Sequence, residues 1–265
     1  MSKVASVRRS EMPSRHPDLS DRFLAPLKLT VRRIARLLEK TCGRPQQETP
    51  GDPLDTLILT ILSQNTNDRN RDRAYNALKA TFPRWEDVLR AKRRSLVRVI
   101  RPGGLAEQKA GRIREILRWV EAHFGGLSLS ALSKTDSETI KESFGNLNGV
   151  GPKTVHCLLL FGLGREAFPV DTHVLRVGKR LGFIPERMSA EKAHSWMPPL
   201  VPGGKSLSLH VNLIRLGRSL CRPRNPRCPD CFLKKECLYF RKSSQPMGNK
   251  CLVLRNAKCK VQSAK

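Results

Sequence analysis

An all-α fold is what the sequence predicts, on three observations. Apolar residues recur at helical spacing: Ala110, Ile113, Leu117, Val120 and Phe124 form one stripe between Gln108 and Phe124. Helix start and stop signals bracket such runs. Asp52-Pro53 reads as a cap and first turn before LDTLILTILSQ, and Gly125-Gly126 closes the later stripe. No stretch alternates apolar and polar residues as a half-buried strand would.

The elements follow in chain order. Met1 to about Pro26 is polar and basic and reads as a loose extension. Leu54 to Leu62 is the longest apolar region; Asp55 and Thr60 interrupt it, so it reads as a core helix. Thr135-x-x-Glu138 has the capping-box pattern, and Ile140 and Phe144 then continue a short helix to about Gly145. That helix stops at Gly145-Asn146. Residues 241–265 hold seven basic residues and no acidic one, with Ser, Pro and Gly near the start, which predicts a flexible tail. Such a tail is either a solvated end or an extra nonspecific DNA contact.

Between these lies LNGVGPKT, Leu147 to Thr154. Gly149 and Gly151, flanking Val150, can take backbone angles closed to other residues, and without side chains there an anion can approach the N–H groups. Pro152 suits the first position of a new helix, where its missing N–H is not needed. The segment therefore predicts unpaired amides at a helix N-terminus, a phosphate site. A GxG turn alone is usually only a tight corner, and Lys153 alone an ordinary surface lysine. Their company gives them weight: Asp171, in PVDTH, follows Lys153 by 18 residues.

Fifty basic residues against 23 acidic give a formal charge of +27 and a pI near 10.6, which points to a polyanionic partner. Nucleic acid fits better than an anionic membrane, since no stretch approaches the roughly 20 apolar residues a spanning helix needs. Three Trp and two Tyr are too few for a binder that lines a groove with rings. At 265 residues the chain can bury a sizeable core, with room for more than one lobe.

Cys221, Cys228, Cys231 and Cys237 follow the spacing C-x6-C-x2-C-x5-C, which suits a soft metal centre. Disulfides are disfavoured, because nothing in MSKVASVRRSEMPSRHPDLS resembles an apolar secretory segment and an unexported chain keeps its thiols reduced. The spacing leaves zinc and iron–sulfur equally open. Cys42, Cys157, Cys251 and Cys259 show no ligand spacing, and Cys157, in VHCLLLF, reads as a buried free thiol.

Taken together, Leu147–Thr154, Val170–His173 and the four cysteines match the L-x-G-V-G-x-K-T, V-D-T-H and C-x6-C-x2-C-x5-C motifs of one family, in order and spacing. Over roughly Leu27 to Tyr239 the chain resembles the endonuclease III family of helix-hairpin-helix DNA glycosylases. It departs from the common pattern at Asn148, where proline is usual, at Pro152, where a basic residue is frequent, and in SQNTND. The resemblance implies a two-lobed fold. A six-helix barrel would span residues 49–164, with the helix-hairpin-helix near 136–163, and an iron–sulfur lobe would combine residues 27–48, including a helix near Lys28 to Lys40, with 165–240. It implies a [4Fe-4S] cluster on the four cysteines, Lys153 as nucleophile and Asp171 as its partner. It also implies DNA contacts from Ser63, Gln64 and Asn65 and from the loop at Gly104-Leu105.

The implied reaction is removal of a damaged base, an oxidised or ring-saturated pyrimidine, from double-stranded DNA. Lys153 would attack the sugar C1′ as a neutral amine, which burial and nearby cations would favour, and β-elimination from the Schiff base would nick the strand 3′ to the abasic site. Asp171 would stabilise positive charge on the sugar or take the proton of the amine. Flipping the nucleotide requires a wedge, for which Leu105 is the candidate. Arg222, Arg224 and Arg227 would hold phosphates, and His173 would orient Asp171 or touch DNA. His16, His123, His156, His194 and His210 show no ligand spacing. The cluster reads as structural, and the protein as a monomer, cytoplasmic and nucleoid-associated in a prokaryote. Two rivals are a monofunctional mismatch glycosylase of the same superfamily, against which Lys153 speaks, and a non-catalytic hairpin-and-zinc DNA-binding module.

Overall fold

The computed structural model describes residues 21–45 and 50–243. Among the described residues there is no strand. The helices are α1 (Asp21–Cys42), α2 (Pro53–Leu62), α3 (Asp68–Thr81), α4 (Trp85–Arg90), α5 (Arg93–Ile100), α6 (Ala106–Phe124), α7 (Ser137–Gly145), α8 (Pro152–Cys157), α9 (Thr172–Leu181), α10 (Ala190–Trp196), α11 (Ser206–Ser219) and α12 (Leu238–Ser243). None is long and apolar enough to cross a membrane.

Local chemistry explains most boundaries. Asp52 caps α2 by accepting the Asp55 N–H at 2.9 Å, with Pro53 in the first turn, as the sequence predicts. The α6 stripe is buried through Val120, and Gly125 ends the helix at φ 70°. The cap of α7 differs from expectation: Asp136, not Thr135, accepts the Glu138 and Thr139 N–H groups, at 3.0 and 2.9 Å, and Thr135 instead ends a 3-10 turn over Ser130–Lys134. A carboxylate that takes two amides outcompetes a neighbouring hydroxyl. Helix α8 passes into a π-helical turn, Leu158–Gly162, and Gly162 packs so closely on Pro53 that a Cβ would sit 3.1 Å from its Cα.

Both terminal expectations need adjusting. Helix α1 already runs at Asp21, so residues 21–26 are helical rather than loose, and Arg241–Ser243 form the end of α12. The rest of both terminal segments, the expected barrel start at Thr49, His16, Cys251 and Cys259 lie outside the described residues.

Buried apolar side chains gather in two clusters. One is drawn from Leu54 to Ala167; the other joins Leu24–Leu38 with residues from Phe168 to Leu233. The chain thus passes between them twice, the second time at Ala167-Phe168. Glu39 on α1 accepts from Lys205 at 2.7 Å and from Ser208 on α11 at 2.6 Å, tying the two segments of the second cluster together. Lys153 belongs to the first cluster's last α-helix, and Asp171 opens the first helix after the second crossing; α8 and α9 each pack against α10, which joins their elements at the junction.

Candidate functional site

Helix α2 packs against α8, which sets the Ser63 loop beside the hairpin. Lys153, half-buried in the first turn of α8, extends Nζ to 3.5 Å from Ser63 Oγ. Asp171 is the N-cap of α9: its Oδ1 accepts the Val174 N–H at 2.7 Å, and Oδ2 has no partner among the described residues. The charges of Lys153 and Asp171 are both felt at Cys157 and at His210.

The segment leading to Asp171 is held from behind. His210 donates Nδ1–H to Pro169 O at 2.9 Å, and His194 accepts the Val170 N–H on Nε2 at 3.0 Å. Burial pushes His210 down to about 4, and lowers His194 as well, so both work as neutral rings. Sequence spacing gave these histidines no role, because their partners are backbone atoms distant in the chain. His173 is half-buried, accepts from Arg176 on Nδ1 at 3.2 Å, and is also held below its usual range by burial.

In the hairpin, the two glycines behave differently. Gly149 has φ 81°, and a Cβ there would lie 2.5 Å from Arg112 Cδ. Gly151, at φ −91°, is in ordinary extended backbone, and a Cβ would meet open space, so the expected special geometry holds for Gly149 alone. Val150 also departs from its expected place at the DNA surface. Its side chain is 2% exposed, packed in the first cluster, and its N–H donates to Leu147 O at 2.9 Å. The N–H groups of Gly149, Gly151 and Lys153 have no acceptor among the described residues, so the anion-facing donors lie around Val150 rather than on it.

Gln64, expected to touch DNA, is committed inside the protein: Nε2 donates to Gly149 O at 2.9 Å, and Oε1 accepts from Arg112 at 2.8 Å. It fastens the loop to the hairpin. Asn65 next to it is exposed and left-handed, at φ 51°. Leu105 is likewise left-handed, at φ 47°, and 52% exposed at the start of α6. Two non-glycine residues in this region, both at exposed loop tips, are the kind of strain that functional loops retain.

The four cysteines line one cavity with Val177, Leu181, Leu216 and Leu220. Among the described residues, no three His, Cys, Asp or Glu groups stand close enough to hold a single metal ion. Burial, reinforced by the neighbouring thiols, raises Cys228 and Cys231, so the thiolate form of these two would be favoured by a bound cation. Arg180, which the sequence left unremarked, donates to Cys221 Sγ at 3.4 Å and to Arg222 O at 2.7 Å. Of the three arginines expected on phosphates, all exposed, Arg227 pairs with Asp230 at 3.0 Å and Arg222 donates to Ser219 O at 3.1 Å, while Arg224 has no partner among the described residues.

Arg218 on α11 grips Asp68 at the start of α3 with two nitrogens, bridging the two clusters beside this site. The guanidinium is the main reason that Asp68 is held below the usual carboxylate range.

Comparison with known proteins gives a consistent picture. The family model described as HhH-GPD superfamily base excision DNA repair protein matches residues 58–199. A candidate DNA glycosylase of Arabidopsis thaliana is 41% identical over 69% of this chain, the match spanning 61% of that protein's length. Endonuclease III of Thermotoga maritima is 34% identical over 80% of this chain and 94% of its own. In the solved structure of a non-covalent endonuclease III–DNA complex, the enzyme superposes with a TM-score of 0.71 at 25% identity, over 83% of this chain and 99% of that one.

Proposed function

The chain belongs to the HhH-GPD superfamily of base excision DNA repair proteins and is endonuclease III-like within it, and on that footing we propose a DNA glycosylase that also cleaves abasic sites, with Lys153 as nucleophile and Asp171 as its carboxylate partner. The observation that carries this reading is the placement of a half-buried lysine amine and a helix-capping carboxylate on two helices, α8 and α9, that both pack against α10 where the chain passes between the buried clusters.

The free amides of Gly149, Gly151 and Lys153 hold a phosphate of the damaged strand, which sets the sugar before Lys153. Nζ attacks C1′; the C1′–N bond breaks, and its electron pair leaves with the base. The Oδ2 side of Asp171 faces the positive charge that builds on the sugar, or takes the proton the amine loses. Ring opening gives a Schiff base at Lys153, and removal of a C2′ proton expels the 3′ phosphate. Leu105 and Asn65 occupy the space from which the nucleotide has turned out. An oxidised or ring-saturated pyrimidine is the proposed substrate.

Four cysteines lining one apolar cavity fit a soft metal centre, and likeness to endonuclease III supports a cluster there rather than zinc. A [4Fe-4S] cluster held by Cys221, Cys228, Cys231 and Cys237 would supply structural support to the α9–α12 region. The two buried clusters likewise support the division into a barrel of residues 49–164 and a lobe of 27–48 with 165–240. Incision of a panel of duplexes, each with one defined lesion, tests the function. Release of oxidised pyrimidines with a nick 3′ to the site is expected; base release without any nick would reduce the activity to that of a monofunctional glycosylase.

A further inference from the structure

Lys109 has no part in the reaction described above, yet its side chain is 0% exposed, in the middle of the apolar stripe of α6. No carboxylate among the described residues meets it. Nζ donates to Leu62 O at 2.7 Å and to Gly103 O at 2.8 Å. Leu62 is the last residue of α2, immediately before Ser63-Gln64-Asn65, and Gly103 immediately precedes Gly104-Leu105. One amine therefore ties the bases of both loops whose tips, Asn65 and Leu105, are exposed and left-handed.

Several physical points converge on a role beyond packing. A buried amine costs free energy that an apolar side chain would not, and burial accordingly pulls Lys109 down to about 8, with the Arg112 charge adding to the effect. Leu62 O lies at the C-terminal end of α2, where the helix dipole favours a cation. Replacing the amine with a hydrocarbon would leave two buried carbonyls unpartnered. Around the same point, Gln64 fastens the first loop to the hairpin and to Arg112 on α6, one turn beyond Lys109. The loops thus share one anchor.

We infer that Lys109 is a positioning residue whose amine fixes the spacing between the Asn65 and Leu105 tips, so that both enter the gap in a duplex together. This rests on the abasic-site cleavage proposed above. A single strand has no stack to hold open, so it needs Lys153 and Asp171 but not the paired tips. Abasic DNA used both as duplex and as single strand separates the two roles.

Lys109→Met keeps an unbranched side chain one atom shorter and removes its donors. Gly103→Ala disturbs the same anchor more mildly, since its Cβ would lie 3.1 Å from Ala74 Cβ and 4.0 Å from Lys109 Nζ. In single-turnover assays both variants should cleave the abasic duplex at least about tenfold more slowly while changing single-strand cleavage by less than about threefold, as expected when only the placement of inserted groups is lost. Adding Lys109→Met to Leu105→Ala should cost little beyond Leu105→Ala alone, because the lysine acts through that tip. If Lys109→Met does not fold, Gly103→Ala decides. Equal losses on both substrates, or an unimpaired duplex rate, would overturn the inference. A wild-type protein inactive on both would remove the cleavage reading and this inference with it.

Discussion

The Asp171 carboxylate and the Val174 amide are joined at 2.7 Å, so the group proposed to face the sugar also begins helix α9. The cap uses one oxygen and orients the other. Asn caps a helix about as well as Asp, so Asp171→Asn should fold with stability near wild type and bind lesion duplex at least as tightly, having lost a negative charge beside DNA. Excision should fall by several powers of ten. Asp171→Ala should in addition lose about 1 kcal/mol of stability with the cap. Urea unfolding, duplex binding and single-turnover excision on the three proteins check this. A loss of affinity proportional to the loss of rate would show that Asp171 only positions.

The two hairpin glycines should respond in opposite ways. Gly149→Ala places a side chain at φ 81° and on Arg112, so it should destabilise the fold by roughly 1–2 kcal/mol or more and disturb the Gln64–Arg112–Gly149 linkage. Gly151→Ala meets no protein atom and should leave the melting temperature unchanged while weakening DNA binding, because its methyl stands where a phosphate would approach. Equal destabilisation by both would contradict the geometry.

Metal analysis addresses the cysteine cavity. The purified protein should be yellow-brown, with about four irons per chain, and Cys228→Ser should lower both iron content and solubility, since a closed thiolate site contributes folding free energy. Zinc without iron would overturn the cluster assignment.

Stability should fall with acid in a defined window. Burial holds His156 and His210 at about 4, below the unfolded value near 6.5. Above pH 6.5 neither state binds the proton. Between 6.5 and 4 only the unfolded state does, so unfolding becomes easier as pH falls, by up to about 1.4 kcal/mol per pH unit for each ring. Urea unfolding from pH 7 to 4.5 should show this slope, and His210→Gln should flatten it by about one proton's share. A flat wild-type profile would mean that the rings are charged, or exposed, in the native protein.

The residues that were legible in the sequence are those whose chemistry is local. Asp52-Pro53, the α6 stripe and Gly125 depend on neighbours within a turn or two, and the structure keeps all three. Lys153 and Asp171 carried a motif signal, though their placement across the junction depends on how α8 and α9 each pack against α10. What could not be read depends on distant partners. Val150 looks like a hairpin tip until the first cluster claims its side chain, and Gly151 looks like a strained glycine until its backbone is seen to be extended. Lys109 left one trace: the 113, 116, 120 face of α6, continued one turn back, lands on a lysine. Nothing local reveals that its acceptors are Leu62 O and Gly103 O. His194 and His210 act on the backbone before Asp171 through atoms 24 and 41 residues away in sequence.

The most direct test of the central claim is borohydride trapping on DNA with one abasic site, followed by mapping of the cross-linked peptide. The account predicts a covalent adduct on Lys153 and none with Lys153→Ala, while Lys153→Ala still binds the same duplex. An adduct of undiminished yield in Lys153→Ala, or one mapped to another residue of the wild type, would contradict it.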